Sequence, residues 1–218
     1  MKAMVLAAGF GARLMPLTAK TPKPLFVIGG ERVLVRQLRL LRAAGFDDIV
    51  VNAAHLGEQI AAVVDESGAT LSAETHPLGA AGGIRLALAR GLLPAGKPFL
   101  LVNGDIVCDY DFARLHNFAV DGCHLILAPN PPQKPRGDFD CEGGVLRQGG
   151  GHTYTGIGVY HPHLFSAITP GDKAGLLPVI RRAMTSGDAS CECFGGLWAD
   201  IGTHESLADI RRIMQGQQ

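Results

Sequence analysis

Ala3-Met4-Val5-Leu6-Ala7-Ala8-Gly9-Phe10-Gly11-Ala12-Arg13 sets six apolar residues directly before two glycines and a cation. An apolar run of that length bounded by glycine suits a strand buried on both faces, as the strands of parallel sheets are. Outward from it, Val33–Ala44 carries Leu34, Leu38 and Leu41 at helical spacing, with arginines between them, and stops at Gly45. Ile49–Ala53, Leu71–Thr75 and Phe99–Asn103 read as further strands, and Leu56–Asp65 and Ile84–Arg90 as helices. Strands this apolar, alternating with helices, predict an α/β fold: a Rossmann-like domain with a mostly parallel mixed sheet covered by helices.

The second half is less regular. Pro129–Gly151 is rich in Pro, Gly and charge; Tyr154–Tyr160 reads as a strand, Leu176–Thr185 and Glu205–Met214 as helices, and Phe112–Phe118 as a helix capped by Asp109 or Asp111. With 218 residues, no internal repeat and no long linker, a single domain over 1–218 is expected. Lys plus Arg equals Asp plus Glu, 20 against 20, which argues against a broad nucleic-acid or acidic-membrane surface. The first apolar run is too short for a signal peptide or a membrane span. Five scattered cysteines with no CxxC pair indicate neither a zinc site nor a disulfide framework, so a reduced, cytoplasmic protein is expected.

Glycines just past a buried strand let backbone amides approach a phosphate. A dinucleotide fingerprint would need a third glycine opening a helix, but Leu14 stands there, and Pro16, Pro22 and Pro24 prevent a regular helix. An open loop carrying Arg13 and Lys23 toward a triphosphate fits better, although loop cations are commonly just solvated. Asp105 lies past the end of a strand, at the edge where open α/β sheets bind ligands, and its plainer reading is a turn residue. Asp200, in Trp198-Ala199-Asp200-Ile201-Gly202-Thr203, could equally sit in a turn before Gly202.

Leu6–Pro24 resembles the L-A-A-G-x-G-x-R-[LM]-x-P-L-T-x-x-x-P-K-P signature of sugar-1-phosphate nucleotidylyltransferases at each fixed position. The resemblance continues in Asn103-Gly104-Asp105, in Trp198–Thr203, and over most of the chain outside 131–152. It implies a nucleotidyltransferase fold and reaction. Ala7, Ala8, Gly9 and Gly11 would contact nucleotide through backbone, Arg13 would hold the departing pyrophosphate, and Lys23 the α-phosphate and the sugar phosphate. Asp105 and Asp200 would share Mg²⁺, which one or two carboxylates commonly hold together with substrate phosphates and water. Pro77-Leu78-Gly79-Ala80-Ala81-Gly82-Gly83 resembles the base-binding segment, with Gly82 and Gly83 against the nucleotide and Ala80 where relatives carry threonine. Asn103, Gly137, Asp138, Thr155 and Gly156 would lie on the sugar side, and Lys173 matches the family lysine only by displacement.

The substrates implied are UTP and N-acetylmuramate α-1-phosphate, in bacterial peptidoglycan recycling. The neighbouring reading is guanylyl or uridylyl transfer to mannose-, heptose- or glucose-1-phosphate, toward which Leu78-Gly79 and Ala81-Gly82 lean. A non-catalytic relative that binds nucleotide sugars would be marked by loss of Arg13, Lys23, Asp105 or Asp200, and all four are present. The eight histidines form no ligand set; His161-Pro162-His163 reads as a surface or cap pair, and His55 and His204 lie near functional segments without an assigned role.

Overall fold

The computed structural model describes residues 1–216. Strand β1 (Ala3–Leu6) opens into a loop that steps through three short 3₁₀ turns, Ala12–Leu14, Leu17–Ala19 and Lys23–Leu25. Pro16, Pro22 and Pro24 each lack an amide donor, which keeps these turns from merging into a helix. A hairpin of β2 (Val27–Ile28) and β3 (Glu31–Arg32) leads into α1 (Val33–Ala43). Then come β4 (Ile49–Ala53), α2 (Gly57–Ser67), β5 (Thr70–Ala73), α3 (Gly79–Ala89), β6 (Phe99–Asn103) and β7 (Ile106–Cys108). The second half holds β8 (Cys123–Pro129), β9 (Phe139–Glu142), β10 (Val145–Gln148) and β11 (His152–Tyr160). It closes with α4 (Leu176–Ser186), β12 (Ala189–Cys193), β13 (Trp198–Asp200) and α5 (His204–Gln215).

Nine strands form one mixed sheet in the order β5-β4-β1-β6-β11-β8-β12-β10-β9. The first four run parallel, β12 runs parallel to β8, and β11 is antiparallel to both β6 and β8. Side-chain alternation sends Ala3 and Val5 to one face, against Leu34, Leu38 and Leu41 of α1 and Ile60 and Val64 of α2. Met4 points to the other face, with Ile84 of α3 and Val179 and Ile180 of α4. Both faces of β1 are therefore buried, as the unbroken apolar run requires. A third cluster, with Leu14, Ile201, Leu207 and Ile210, seats α5 against the loop after β1.

Three expectations are corrected. Helix α3 begins at Gly79 rather than Ile84, so Gly82 and Gly83 lie inside the helix rather than before it. Phe112–Leu115 is a single 3₁₀ turn, with Asp111 accepting from the Ala113 amide at 3.1 Å; Phe112 and Leu115, three apart, both reach the core from that tighter turn. The five thiols are not all unpaired: Cys141 on β9 and Cys191 on β12 are joined as a disulfide, with Cα atoms 6.2 Å apart, a normal span for such a bridge. The partners are 50 residues apart, and only the folding-back of the β9–β10 hairpin brings them together.

Cys108 and Cys123 are free but buried, and burial pushes their thiols up to about 11 and about 12. Cys193 is free and exposed. Iodoacetamide at pH 8 without reductant is accordingly expected to label only Cys193 in the native protein. Mass spectrometry after unfolding should count three adducts without reductant and five with it. Five adducts without reductant would show the 141–191 pair open.

Candidate active site

The carboxyl ends of the parallel strands build the site. Leu6 of β1 is in register with Asn52 of β4 on one side and Asn103 of β6 on the other, so three strand ends share one row. Two cavities open above that row. The first, of 220 Å³, is walled by Ala7, Ala8 and Gly9, by Lys23, and across from them by Pro77, Gly79 and Ala80. The second, of 670 Å³, is walled by Arg13, Lys134, Thr153, Thr155, Trp198 and Asp200. Asn103 and Asp105 line both, so the cavities adjoin at these two residues.

Charge is concentrated at that junction. The Lys23 ammonium donates to the Asp105 carboxylate in a largely buried ion pair. Asp200 reaches the same place because β13 pairs antiparallel with β7, and the Ile201 amide donates to the Asp105 carbonyl at 2.8 Å. Burial first, and the charge of Asp105 second, hold the Asp200 carboxyl above the usual carboxylate range, while Arg13, Lys23 and Lys134 pull it down. Two carboxylates whose charges oppose each other in a half-buried cleft are suited to a cation between them. Among the described residues no group of three His, Cys, Asp or Glu forms, so a fully protein-made metal cage is not offered here.

The other site residues divide between lining and support. Ala7 and Ala8 line the first cavity, yet the Ala7 amide is spent on the Asn52 side chain at 2.7 Å. Gly11 stands behind the loop, its carbonyl accepting from the Thr18 hydroxyl at 3.0 Å. Gly82 and Gly83 are buried behind the cavity wall, where a Cβ on Gly82 would stand 2.5 Å from the Asp172 carbonyl oxygen. Thr155 lines the second cavity through its wall position, with its hydroxyl donating inward to the Ile126 carbonyl at 2.7 Å. Gly156 takes φ +81° against the Asn103 amide, a backbone setting that an L side chain would strain. Gly137 is pressed against Asn130 and the His152 carbonyl, and Asp138 accepts from Lys134 at 2.6 Å and from the Tyr154 amide at 3.0 Å.

Several supports were not foreseen. Asn52 and Glu74 are buried and hydrogen bonded to each other at 2.6 Å. The signal was present: Asn52 interrupts a strand whose other residues are apolar, and a polar group buried there demands partners. The Trp198 indole donates to the Thr155 carbonyl at 2.8 Å and pins β13 to β11. His55 and His204 ring nitrogens lie 2.8 Å and 3.1 Å from the carbonyls of Thr18 and Met15, so both hold the loop after β1. His161 caps the 3₁₀ turn Pro162–Phe165, as a cap pair should. Lys173 sits on the segment whose next residue, Ala174, accepts from the Ala81 and Gly82 amides and closes the end of α3.

The family model described as nucleotidyl transferase matches residues 2–137, more than half of the chain. The chain belongs to the nucleotidyl transferase family. This nucleotidyl transferase is 40% identical, over 98% of both chains, to N-acetylmuramate alpha-1-phosphate uridylyltransferase of Neisseria meningitidis. It is also 40% identical, over 54% of its length, to the mannose-1-phosphate guanyltransferase of Kluyveromyces lactis, of which that match spans 34%. A putative glucose-1-phosphate thymidylyltransferase from Bacillus anthracis shares the fold at a TM-score of 0.83, with 20% identity over 99% of this chain and 95% of that one. HddC from Yersinia pseudotuberculosis, complexed with GMP-PN, does so at 0.79, with 22% identity over 97% and 98%. The resemblance of Leu6–Pro24 to this family is thereby borne out, and so are the fold class and the enzyme class.

Proposed function

We propose that this nucleotidyl transferase moves a uridylyl group from UTP to N-acetylmuramate α-1-phosphate, with Mg²⁺, releasing pyrophosphate and a nucleotide sugar. The observation that carries the transfer is the junction of two cavities at Asp105, with Lys23 on one side and Asp200 on the other. The choice of substrates rests on the full-length likeness to the Neisseria protein, and on it alone. That choice puts the reaction in the cytoplasm, in recycling of bacterial cell wall.

The first cavity holds the nucleotide and the second the sugar, with their phosphates meeting at the junction. A phosphate monoester has its second pKa near about 6, so the acceptor arrives largely dianionic and needs no general base. Its oxygen forms a bond to the α-phosphorus in line while the bond to the β-phosphate oxygen breaks, and pyrophosphate leaves. Lys23 turns from Asp105 to the α-phosphate and the acceptor phosphate, and Arg13 takes charge on the departing pyrophosphate. Asp105 and Asp200 would hold Mg²⁺, which supplies charge neutralisation on the phosphates. Rate enhancement then comes from positioning and preorganised charge.

The test is pyrophosphate release from purified protein with Mg²⁺, each of UTP, GTP, CTP and dTTP, and a panel of sugar-1-phosphates. Release that needs UTP and N-acetylmuramate α-1-phosphate is expected. Release with GTP and mannose-1-phosphate would move the protein to the guanylyl branch, which Leu78-Gly79 and the Kluyveromyces likeness favour. No release from any pair would overturn the transfer reading in favour of nucleotide-sugar binding alone. With the active pair, Arg13→Ala is expected to lower kcat about 10²-fold, the low end for one preorganised charge, because the side chain is exposed. Unchanged kcat would remove Arg13 from the reaction.

A further inference from the structure

The loop after β1 and the loop entering α3 both line the first cavity, and among the described residues no strand pairing joins them directly. What joins them is a buried chain of three hydrogen bonds. The Ala7 amide donates to Asn52 Oδ1 at 2.7 Å, Asn52 Nδ2 donates to Glu74 Oε1 at 2.6 Å, and the Leu78 amide donates to Glu74 Oε2 at 2.9 Å. Asn52, which lines the first cavity, is 2% and Glu74 7% exposed, so a partner lost from this chain leaves a buried polar atom poorly satisfied. Gly83 keeps the space clear: a Cβ there would stand 2.5 Å from Glu74 Oε1 and 2.7 Å from Asn52 Nδ2.

We infer that Asn52 and Glu74 are positioning residues for the triphosphate, holding the two cavity walls at a set separation through the hydrogen-bonded chain from Ala7 to Leu78. Neither acts on the reacting atoms. The inference rests on the first cavity being the nucleotide site.

The chain has a polarity that makes it testable. Both ends are amide donors, so both side chains must present oxygen outward. The central bond then needs one donor and one acceptor, which requires one carboxamide and one carboxylate. Asn52 with Glu74 satisfies this. Combining Asn52→Asp with Glu74→Gln exchanges the two groups and satisfies it equally, with the central bond reversed. Two carboxamides would set two NH₂ groups face to face, and two carboxylates two acceptors.

The experiment compares wild type, Asn52→Asp, Glu74→Gln and the double variant by triphosphate titration, KM, kcat and melting temperature, using the triphosphate that the wild type consumes. Each single variant is expected to raise KM for the triphosphate about tenfold, which corresponds to about 1.4 kcal/mol. KM for the sugar phosphate should change less, and the double variant should return to within about threefold of wild type. Single variants that melt earlier but keep the triphosphate KM would overturn the inference and leave the pair as core support. A double variant no better than the singles would overturn it as well. Wild type that binds no triphosphate would instead overturn the assignment of the cavity, and the inference with it.

Discussion

Asp105→Asn is expected to lower kcat about 10³-fold while the protein folds and melts close to wild type. The substitution is isosteric, and the backbone tie that seats β13, from the Ile201 amide to the residue 105 carbonyl, is untouched. What is lost is one negative charge at the place where the two cavities meet and where Lys23 is anchored. The removal of one preorganised electrostatic group in a water-poor site costs about 3–4 kcal/mol of barrier. The ion pair with Lys23 is lost, but the same change relieves the repulsion between Asp105 and Asp200 that helps to raise the Asp200 carboxyl; the two effects oppose each other, so the net change in stability should be small. The check is steady-state turnover beside a thermal melt, and turnover within about tenfold of wild type would take Asp105 out of the mechanism.

Gly82→Ala is expected to destabilise the protein, against the usual direction for glycine in a helix. Inside α3 the exchange should gain about 1 kcal/mol from helix propensity. Against this, the new Cβ would sit 2.5 Å from the Asp172 carbonyl oxygen and 3.2 Å from the Ala174 amide nitrogen. That wall is backbone and cannot rotate away. It is fixed by the Ala174 carbonyl accepting from the Ala81 and Gly82 amides, and by the Ala174 amide donating to the Leu78 carbonyl at 2.8 Å. Overpacking against such a wall costs about 1–3 kcal/mol, so the clash wins or at best breaks even. Moving the wall would also shift Gly79 and Ala80, and with them the first cavity. Denaturant unfolding should show a net loss of up to about 2 kcal/mol. Gly57→Ala in α2 is the control: its nearest neighbour would be the Ala53 Cβ at 3.8 Å, so it should be neutral or stabilising. A Gly82→Ala protein as stable as that control would show that the 172–174 segment yields.

The sequence was most legible where a property is local. An apolar run bounded by glycine reads as a doubly buried strand because both neighbours of that strand belong to the same repeating pattern; Ile49–Ala53 and Phe99–Asn103 match their strands end to end. Helix α1 was equally readable from the spacing of Leu34, Leu38 and Leu41. The start of α3 was not, because glycine lowers helix propensity and the reason for Gly82 and Gly83 lies in residues 74 and 172–174. Strands β9 and β10 were legible only as short strand-like pieces, and β13 not at all, for a related cause: each is short, half exposed and defined by its partner rather than by its own pattern.

The α/β alternation, the glycine-containing loop with Arg13 and Lys23, and the family those residues mark can all be read from the chain, since each is carried by contiguous residues whose chemistry needs no neighbour. How the pieces meet is settled only by packing. Pairing of β13 with β7 brings Asp200 to Asp105 from far along the chain, folding-back of the β9–β10 hairpin joins Cys141 to Cys191, and a buried amide and carboxylate tie one cavity wall to the other. Such contacts depend on three-dimensional registers between distant segments. A single polar residue in an apolar strand can announce that it needs a partner, but only the packed fold supplies one.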